Sequence, residues 1–203
     1  ASAAKYLGKE FWVKRPVTEY DMTLVALDQI DDLPSLDILK MDVQGAELDV
    51  MTGGRKRLAD CVMIIPEVRF YRMYEGEPMW ADVDQEMRAQ GFVLHKFLSQ
   101  KSVVLPSSQK KAFHKRAASQ LLDGDAVYIR NLENPTMLSD RQLIALALAA
   151  DIVAESPDLC AFCLDALRAR KVIGPNIAEQ YLIRVPPMLR SDEPVKAQEG
   201  ADA

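Results

Sequence analysis

The chain has 203 residues, of which 49% are hydrophobic and 27% charged, and its formal net charge is −5. This length suffices for one domain with a sizeable core and a small appendage, and the acidic balance argues against a general nucleic-acid binder. No apolar run approaches the roughly 20 residues of a membrane span, and no signal peptide opens the chain. Three cysteines are too few and too irregularly spaced for a disulfide framework, so we expect a reducing cytoplasm.

The pattern of apolar residues predicts alternating strands and helices in the first two thirds of the chain. A strand over 11–17 is weakened by Pro16, and an extended run at 22–27 precedes a helical turn at 28–32. Four strands are predicted after that turn, at 38–43, 62–68, 92–98 and 126–130. The first two read as buried parallel strands. Two helices are predicted between strands, at 46–58 and 78–90.

The remaining segments are a basic stretch at 99–123, which reads as a long loop, and a helical tail. Three helices are predicted in the tail, at about 139–155, 156–170 and from 174 onward. Alternating Leu, Ile and Ala make the first of them apolar nearly all round, which predicts a buried helix. The fold class is therefore α/β, with a layered sheet and a C-terminal helical extension.

Two carboxylates, Asp42 and Glu67, lie at the carboxyl ends of consecutive strands in one β-α-β unit. Ligands bind just outside those ends in open α/β sheets, so both acids are candidate catalytic residues. They could orient a hydroxyl, accept its proton or hold a metal ion. The alternative is that they are ordinary turn and helix-cap residues, which are common at strand ends.

The segments that follow these acids could contact ligands. Gly45 permits close approach of a ligand to the backbone, whereas Glu47 more simply complements the dipole of the next helix. After Glu67, the run 69–74 is rich in arginine and tyrosine, and we favour a role in recognising a polar or sugar-like substrate. An ordinary surface loop with aromatic packing is the alternative.

The cysteine and histidine residues carry weaker signals. Cys160 and Cys163 have the spacing of half a zinc site, but no second ligand pair follows and both lie in an apolar helical run, so we expect core packing and predict no metal ligands. His95 lies in a predicted strand and His114 in the basic stretch. Neither has neighbours that suggest a catalytic triad, so His95 is expected to be structural and His114 solvated or substrate-facing.

Several segments together resemble the FkbM family of methyltransferases: Leu27-Asp28, Leu36-Asp-Ile-Leu-Lys-Met-Asp-Val-Gln-Gly-Ala-Glu47, Gly53-Gly54 and Ile65-Pro-Glu-Val68. The family pattern is a Leu-Asp turn, a strand ending Lys-x-Asp-Val-Glu-Gly-x-Glu, a glycine late in the helix and a strand ending Glu-Val. Gln44 replaces the usual Glu of that pattern. Gly91-Phe92 and residues 124–130 are similar to the family's later strands, so the resemblance covers roughly residues 20–131.

The resemblance implies a Rossmann-like class I fold and methyl transfer from S-adenosylmethionine, usually to a hydroxyl of a sugar or another small molecule or glycan. Asp42 would then lie beside the methyl donor or the acceptor, with Val43 and Gly45 at the cofactor and Glu67 across the same crevice. A further set of residues would bind the substrate: Arg69, Tyr71 and Arg72.

The family's Asp-x-Gly-Ala-x-x-Gly loop, which holds the cofactor, is not found in this sequence. We therefore expect residues 1–134 to form the carboxyl-terminal half of a methyltransferase domain, followed by a helical extension at 135–187 and a disordered tail at 188–203. The strand ending at Asp42 would expose an apolar edge unless a missing N-terminal segment or a partner chain covers it. A non-catalytic α/β module whose helical tail binds a partner is the alternative function.

Overall fold

The computed structural model of the protein describes residues 21–74 and 76–191. Its centre is a mixed α/β arrangement with one four-stranded sheet. The strands are β1 Ile38–Met41, β2 Met63–Arg69, β3 Phe92–Val103 and β4 Gln120–Arg130. The helices are α1 Glu47–Thr52, α2 Trp80–Ala89, α3 Asp140–Ile152, α4 Pro157–Ala169 and α5 Ile177–Arg184. The α/β class predicted from the sequence is confirmed, whereas the possible strand at 11–17 lies outside the described residues.

The sheet has the strand order β1-β2-β4-β3. β1 and β2 are parallel and are joined through α1, as expected for a β-α-β unit. β4 is antiparallel to both of its neighbours, β2 and β3. The carboxyl ends of β1 and β2 therefore lie at one end of the sheet, which is also the end where β3 finishes and β4 begins.

β1 is shorter and more exposed than the sequence predicts. It ends at Met41 rather than Val43, and Ile38 and Lys40 are both exposed. The reason is its position, because among the described strands only β2 pairs with it and its other edge has no described partner. The prediction of a strand buried on both faces is wrong for β1 and right for β2, which is buried at six of its seven residues.

The helix predicted at 46–58 is also too long, since α1 ends at Thr52. A side chain at Gly54 would meet Leu27 Cδ1 at 2.9 Å, so the turn at 27–29 packs directly on this glycine. Asp28 fixes the same junction, because its carboxylate accepts the backbone N–H groups of Lys56 and Arg57 at 3.1 and 2.9 Å. Its own N–H donates to the carbonyl of Gly53 at 3.0 Å. The Leu-Asp turn and the glycine pair thus meet as one structural unit.

The long loop predicted at 99–123 is largely a hairpin. β3 continues to Val103 and β4 begins at Gln120, so only 104–119 connects them, with short 3-10 turns at Lys110–Ala112 and Lys115–Ala117. The sequence did not predict these strand ends, because their side chains are mostly polar or basic. A strand that extends beyond the core needs no alternation of apolar and polar residues.

The helical tail packs on one face of the sheet and shares its core. One cluster of buried apolar residues joins Val62, Met63 and Ile129 of the sheet region with Leu143 and Leu167 of the helices. The second core cluster lies on the other face, where α1 and α2 pack. Ser139 caps α3, since its hydroxyl accepts the N–H of Gln142 at 3.2 Å.

The expectation that α3 is buried nearly all round is wrong. Leu143 and Leu146 are fully buried, but Ile144, Leu148 and Ile152 are 42%, 57% and 72% exposed. Pro187–Leu189 forms a 3-10 turn, and the rest of the predicted tail, 192–203, lies outside the described residues. Within the described residues no helix is long and apolar enough to cross a membrane.

Candidate functional site

Asp42 and Glu67 lie side by side at the carboxyl end of the parallel strand pair. Met41 pairs with Pro66 in the β1–β2 register, and the two acids are the next residue of each strand. One carboxylate oxygen of each, together with one from Glu47, falls within 4.8 Å of the others. Asp42 is exposed and Glu67 half-buried. The two candidate catalytic residues are therefore brought together, with Asp42 nearer to solvent.

The side-chain amide of Gln44 joins these two carboxylates. Its Nε2 donates to Asp42 Oδ1 at 2.5 Å and, more weakly, to Glu67 Oε2 at 3.4 Å. Its Oε1 accepts from Arg69 at 3.2 Å. Gln44 adopts φ 55°, a left-handed conformation that is uncommon for a residue with a side chain. This backbone geometry carries the amide back over the strand ends.

Glu47 organises the turn between β1 and α1. Its buried carboxylate accepts the N–H of Val43 at 3.0 Å and that of Gly45 at 2.9 Å. Gly45 has φ 105°, which favours glycine, and a side chain there would approach Glu77 Oε2 at 3.4 Å. The amides of Val43 and Gly45, two of the three residues predicted to bind the cofactor with Asp42, are thus already used inside the protein, and the cofactor role of all three stays a prediction.

Arg69, predicted to bind substrate, is the buried centre of an ion-pair network. Its side chain is only 5% exposed. The guanidinium lies 2.8 Å from Glu67, 3.3 Å from Asp123 and 3.7 Å from Glu77. Glu77 in turn accepts the backbone N–H groups of Met73 and Tyr74. Arg69 therefore holds these carboxylates together through ion pairs, and its predicted contact with substrate stays a prediction.

The surroundings of Glu67 raise its pKa. Burial is the largest cause, and the negative charges of Asp42 and Asp123 act in the same direction, while Arg69 opposes them. A carboxyl whose pKa is moved toward neutrality can take up a proton more readily than an ordinary surface glutamate. This property suits a group that accepts a proton from a hydroxyl.

The other predicted substrate residues follow the end of β2. Tyr71 is half-buried and Arg72 is exposed. The sequence did not single out Gln44 as a bridge, and it missed Glu77 and Asp123. The signal for Gln44 was present, because it precedes Gly45 directly after the strand that ends at Asp42.

The three clustered acids could in principle hold a cation, since each offers an oxygen. However, Glu47 already accepts two backbone hydrogen bonds, and the Gln44 amide already serves Asp42 and Glu67. Exposed acidic groups of this kind are common without an ion. The absence of metal ligands therefore stays a prediction.

The cysteines and histidines lie away from this site. Cys160 and Cys163 are buried in α4, and burial raises the pKa of the Cys163 thiol to about 12, so they are placed as core residues. His95 Nε2 lies 2.9 Å from the hydroxyl of buried Ser156, in the packing between the sheet and the helices. His114 is exposed on the connection between β3 and β4 and caps the 3-10 turn at 115–117.

Comparison with known proteins indicates which class of protein this part of the chain resembles. Residues 2–94 match the family model described as the methyltransferase FkbM domain, which includes β1, α1, β2 and the acids at their ends. The resemblance to the FkbM family is thereby confirmed over residues 2–94, slightly less than half of the chain, and its expected extension to about residue 131 stays a prediction.

A curated relative supports the same class over a shorter stretch. The chain is 43% identical over 53 residues to the 2-O-methyltransferase NoeI of Sinorhizobium fredii (strain NBRC 101917 / NGR234). The alignment covers 26% of this chain and 22% of that protein, so the match spans about a fifth of the relative's length. No solved structure matches the chain significantly.

Proposed function

We propose that this chain forms the acceptor side of a Rossmann-like methyltransferase that uses S-adenosylmethionine and methylates a hydroxyl of a sugar or another small molecule. The observation that carries the proposal is the pairing of Asp42 and Glu67 at the carboxyl ends of β1 and β2, inside the segment that matches the FkbM domain. Ligands bind at that end of open α/β sheets. The 2-O-methyl transfer named for NoeI is also a transfer to oxygen, which supports a hydroxyl acceptor.

The residues of the chain would supply orientation and proton removal. S-adenosylmethionine, when bound, supplies an electrophilic methyl group. Glu67 accepts the hydroxyl proton as the oxygen becomes methylated, which its raised pKa favours. Asp42, which is more exposed, orients the hydroxyl or contacts the cofactor, and Arg69 with Gln44 keeps the two acids in place. Alignment of donor and acceptor supplies the rest of the rate enhancement.

Only part of a cofactor site is present among the described residues. Asp42 fits a ligand-facing role because its carboxylate is exposed at a strand end. The amides of Val43 and Gly45 are occupied by Glu47, and the sequence has no glycine-rich loop ahead of β1. We propose that an N-terminal segment or a partner chain pairs with the edge of β1 that has no partner among the described residues and contributes the cofactor wall. The enzyme would act in the cytoplasm, consistent with three free cysteines.

The test is binding of S-adenosylmethionine by calorimetry to this chain and to a longer parent chain that includes an upstream glycine loop. We expect the parent to bind and this chain alone to bind poorly. In the parent, Glu67→Gln should reduce methyl transfer far more than cofactor binding, because the proton acceptor is lost while the donor site remains. A parent that does not bind the cofactor would refute the proposal.

A second candidate is a non-catalytic interaction module. The exposed residues Ile144, Leu148 and Ile152 are spaced four apart and form an apolar stripe on α3, which is unusual on a free helix surface. A stable complex with a protein partner, lost on Leu148→Gln, combined with a parent gene that encodes no glycine loop, would favour this function.

A further inference from the structure

The hairpin formed by β3 and β4 carries a concentrated positive charge. We call residues 99–122 the hairpin arm. The arm contains no aspartate or glutamate, although the whole chain has a net charge of −5. It contains a group of lysine and arginine residues: Lys101, Lys110, Lys111, Lys115 and Arg116. In the part of the chain that the structure describes, Lys111, Lys115 and Arg116 make no ion pair with an acid.

The arm rises from the same end of the sheet as the candidate catalytic acids. Glu67 pairs with Asp125 across the β2–β4 register, and Asp125 pairs with Ser99 across the β3–β4 register. Ser99 is therefore level with Glu67, and the hairpin continues to the pair Val103 and Gln120. β2 ends at Arg69, which is level with Lys101, so the paired strands extend two residues, or about 7 Å, beyond the end of β2 before the connection begins.

A pocket lies at the outer end of the arm. Its volume is about 380 Å³, and its walls are Ser102, Val103, Val104, Lys110, Phe113, Lys115 and Ala118. Two lysines, one serine and a set of apolar residues thus line a common space. The Phe113 ring is 54% exposed, which is unusual for a phenylalanine that serves the core alone. The pocket therefore combines lysines that could bind an anion with a phenylalanine ring that could pack on the apolar face of a ligand ring.

The two 3-10 turns keep the lysines at this pocket. Lys110 opens the first turn, and Lys115 opens the second. The second turn is held by His114, whose Nδ1 accepts the N–H of Arg116 at 3.1 Å. Ser119 returns the chain to β3, since its N–H donates to the carbonyl of Val103 at 3.2 Å. These hydrogen bonds therefore hold the connection that carries the two lysines.

We propose that this pocket binds an anionic group of the acceptor, a phosphate or a carboxylate carried by a sugar. This inference rests on the proposed function, because it names the class of acceptor for the same site. Ser102 lies three residues beyond the level of Glu67, about 10 Å along the strand, and β3 lies two strands from β2, about 10 Å across the sheet. The acceptor would therefore be longer than one sugar unit, with its anionic group about 14 Å from Glu67 and a sugar face against Phe113. Lysine ammonium groups are suited to phosphate as point charges.

A nucleic acid is a poorer occupant for this pocket. Binding of a phosphate backbone needs many cations along a groove, whereas here they are confined to one connection of an acidic protein. The pocket volume also suits one sugar unit better than a strand. A single-stranded oligonucleotide therefore serves as a comparison probe in the test.

The experiment is a titration of the full chain with glucose 1-phosphate at low salt, followed by amide chemical shifts in NMR spectra. Glucose, glucuronate and a short oligonucleotide are titrated in parallel, and no methyl donor is needed. We expect shifts at the arm with a dissociation constant on the order of 1 mM for glucose 1-phosphate, weaker binding as salt rises, and none for glucose. Comparable binding of glucuronate would identify a carboxylate as the anion, and weaker binding would identify phosphate.

The variant Lys110→Gln/Lys115→Gln should weaken glucose 1-phosphate at least about tenfold, because two charge-assisted contacts are lost. The control Lys56→Gln/Lys171→Gln removes the same charge from exposed positions outside the arm and should bind as the unchanged protein does. Equal weakening in both variants, no binding of either anionic sugar, or tighter binding of the oligonucleotide would overturn the inference. Binding of S-adenosylmethionine by the parent chain is measured separately, so failure here leaves the methyltransferase proposal to its own test.

Discussion

The guanidinium of Arg69 lies 2.8 Å from the carboxylate of Glu67, and the side chain of Arg69 is only 5% exposed. The same guanidinium faces Asp123 on β4 and Glu77 in the loop after β2. One buried cation therefore ties a candidate catalytic acid to two further carboxylates from different parts of the chain. The position of Glu67 depends on this tie, because the carboxylates repel one another without it.

Substitution of Arg69 by methionine should destabilise the fold strongly. The change removes the cation, leaves buried Glu77 without a counter-charge and leaves buried Asp123 with only the more distant Lys101 at 3.8 Å, and breaking a buried pair in this way costs about 3–5 kcal/mol. Urea unfolding at pH 7 measures the effect. Arg72→Met is the matched control, because Arg72 is exposed, and it should change the free energy of unfolding by less than about 0.5 kcal/mol. Similar losses in both variants would contradict the supporting role of Arg69.

Two substitutions distinguish the contribution of the Gln44 side chain from that of its backbone conformation. Gln44→Ala removes the amide between Asp42 and Glu67 and keeps the unfavourable φ of 55°, so it should destabilise by about 1–2 kcal/mol. Gln44→Gly removes the same amide but tolerates that φ, so it should recover about 0.5–1 kcal/mol relative to alanine. Thermal melts of the two variants give the difference. In the parent chain both variants should lose methyl transfer alike, since both lack the amide.

His95 should make the stability of the protein depend on pH. Burial is the main reason that its pKa lies below the usual 6.5, with Lys96 acting in the same direction and Asp158 opposing it. The folded protein therefore binds this proton less readily than the unfolded chain. The stabilising contribution is present above about pH 6.5 and is lost as pH falls through the lowered pKa of the folded state.

Thermal unfolding between about pH 8 and pH 5 gives the measurement for this histidine. His95→Gln should flatten the decline below about pH 6.5, because the neutral amide takes up no proton. A decline that is identical in the His95 variant would exclude His95 as its source.

The sequence predicted the parts of the fold that depend on local pattern. The apolar run at 62–68 predicted β2 within one residue at each end, and the helix predicted from about residue 139 begins at Asp140. The pairing of Asp42 with Glu67 was also predictable, because consecutive parallel strands bring their carboxyl ends to the same edge. The FkbM motif added the class of reaction to that geometry.

The features that the sequence missed depend on contacts between distant segments. The ion pair of Arg69 with Asp123 was not predicted, because the two residues are opposite each other only through the β2–β4 register. The predicted contact of Arg69 with substrate stays a prediction. The exposed face of α3 was missed for the same reason, since Ile144 and Leu143 are both apolar and only packing on the sheet distinguishes them. Apolar periodicity therefore predicted the helix α3, whereas tertiary contacts determine which of its faces is buried.

Gly124 offers a test of the strand pair that carries the hairpin arm. A Cβ at this position would meet the backbone carbonyl oxygen of Ser99 on β3 at 2.6 Å. Because that atom belongs to the backbone of a paired strand, it cannot move aside without breaking ladder hydrogen bonds. Gly124→Ala should therefore destabilise the protein by about 1–3 kcal/mol.

The matched control for this change is Gly174→Ala. A Cβ at Gly174 would meet only Ile177 Cγ1 at 3.8 Å, which is ordinary contact, so the free energy of unfolding should shift by less than about 0.5 kcal/mol. Urea unfolding compares the two variants. Gly124→Ala should also weaken glucose 1-phosphate, because the pocket of the arm is carried on the strands that the new methyl group forces apart. If the variant is destabilised but binds the sugar phosphate unchanged, the pocket does not depend on the β3–β4 register, and the arm is held by its connection at 104–119 instead.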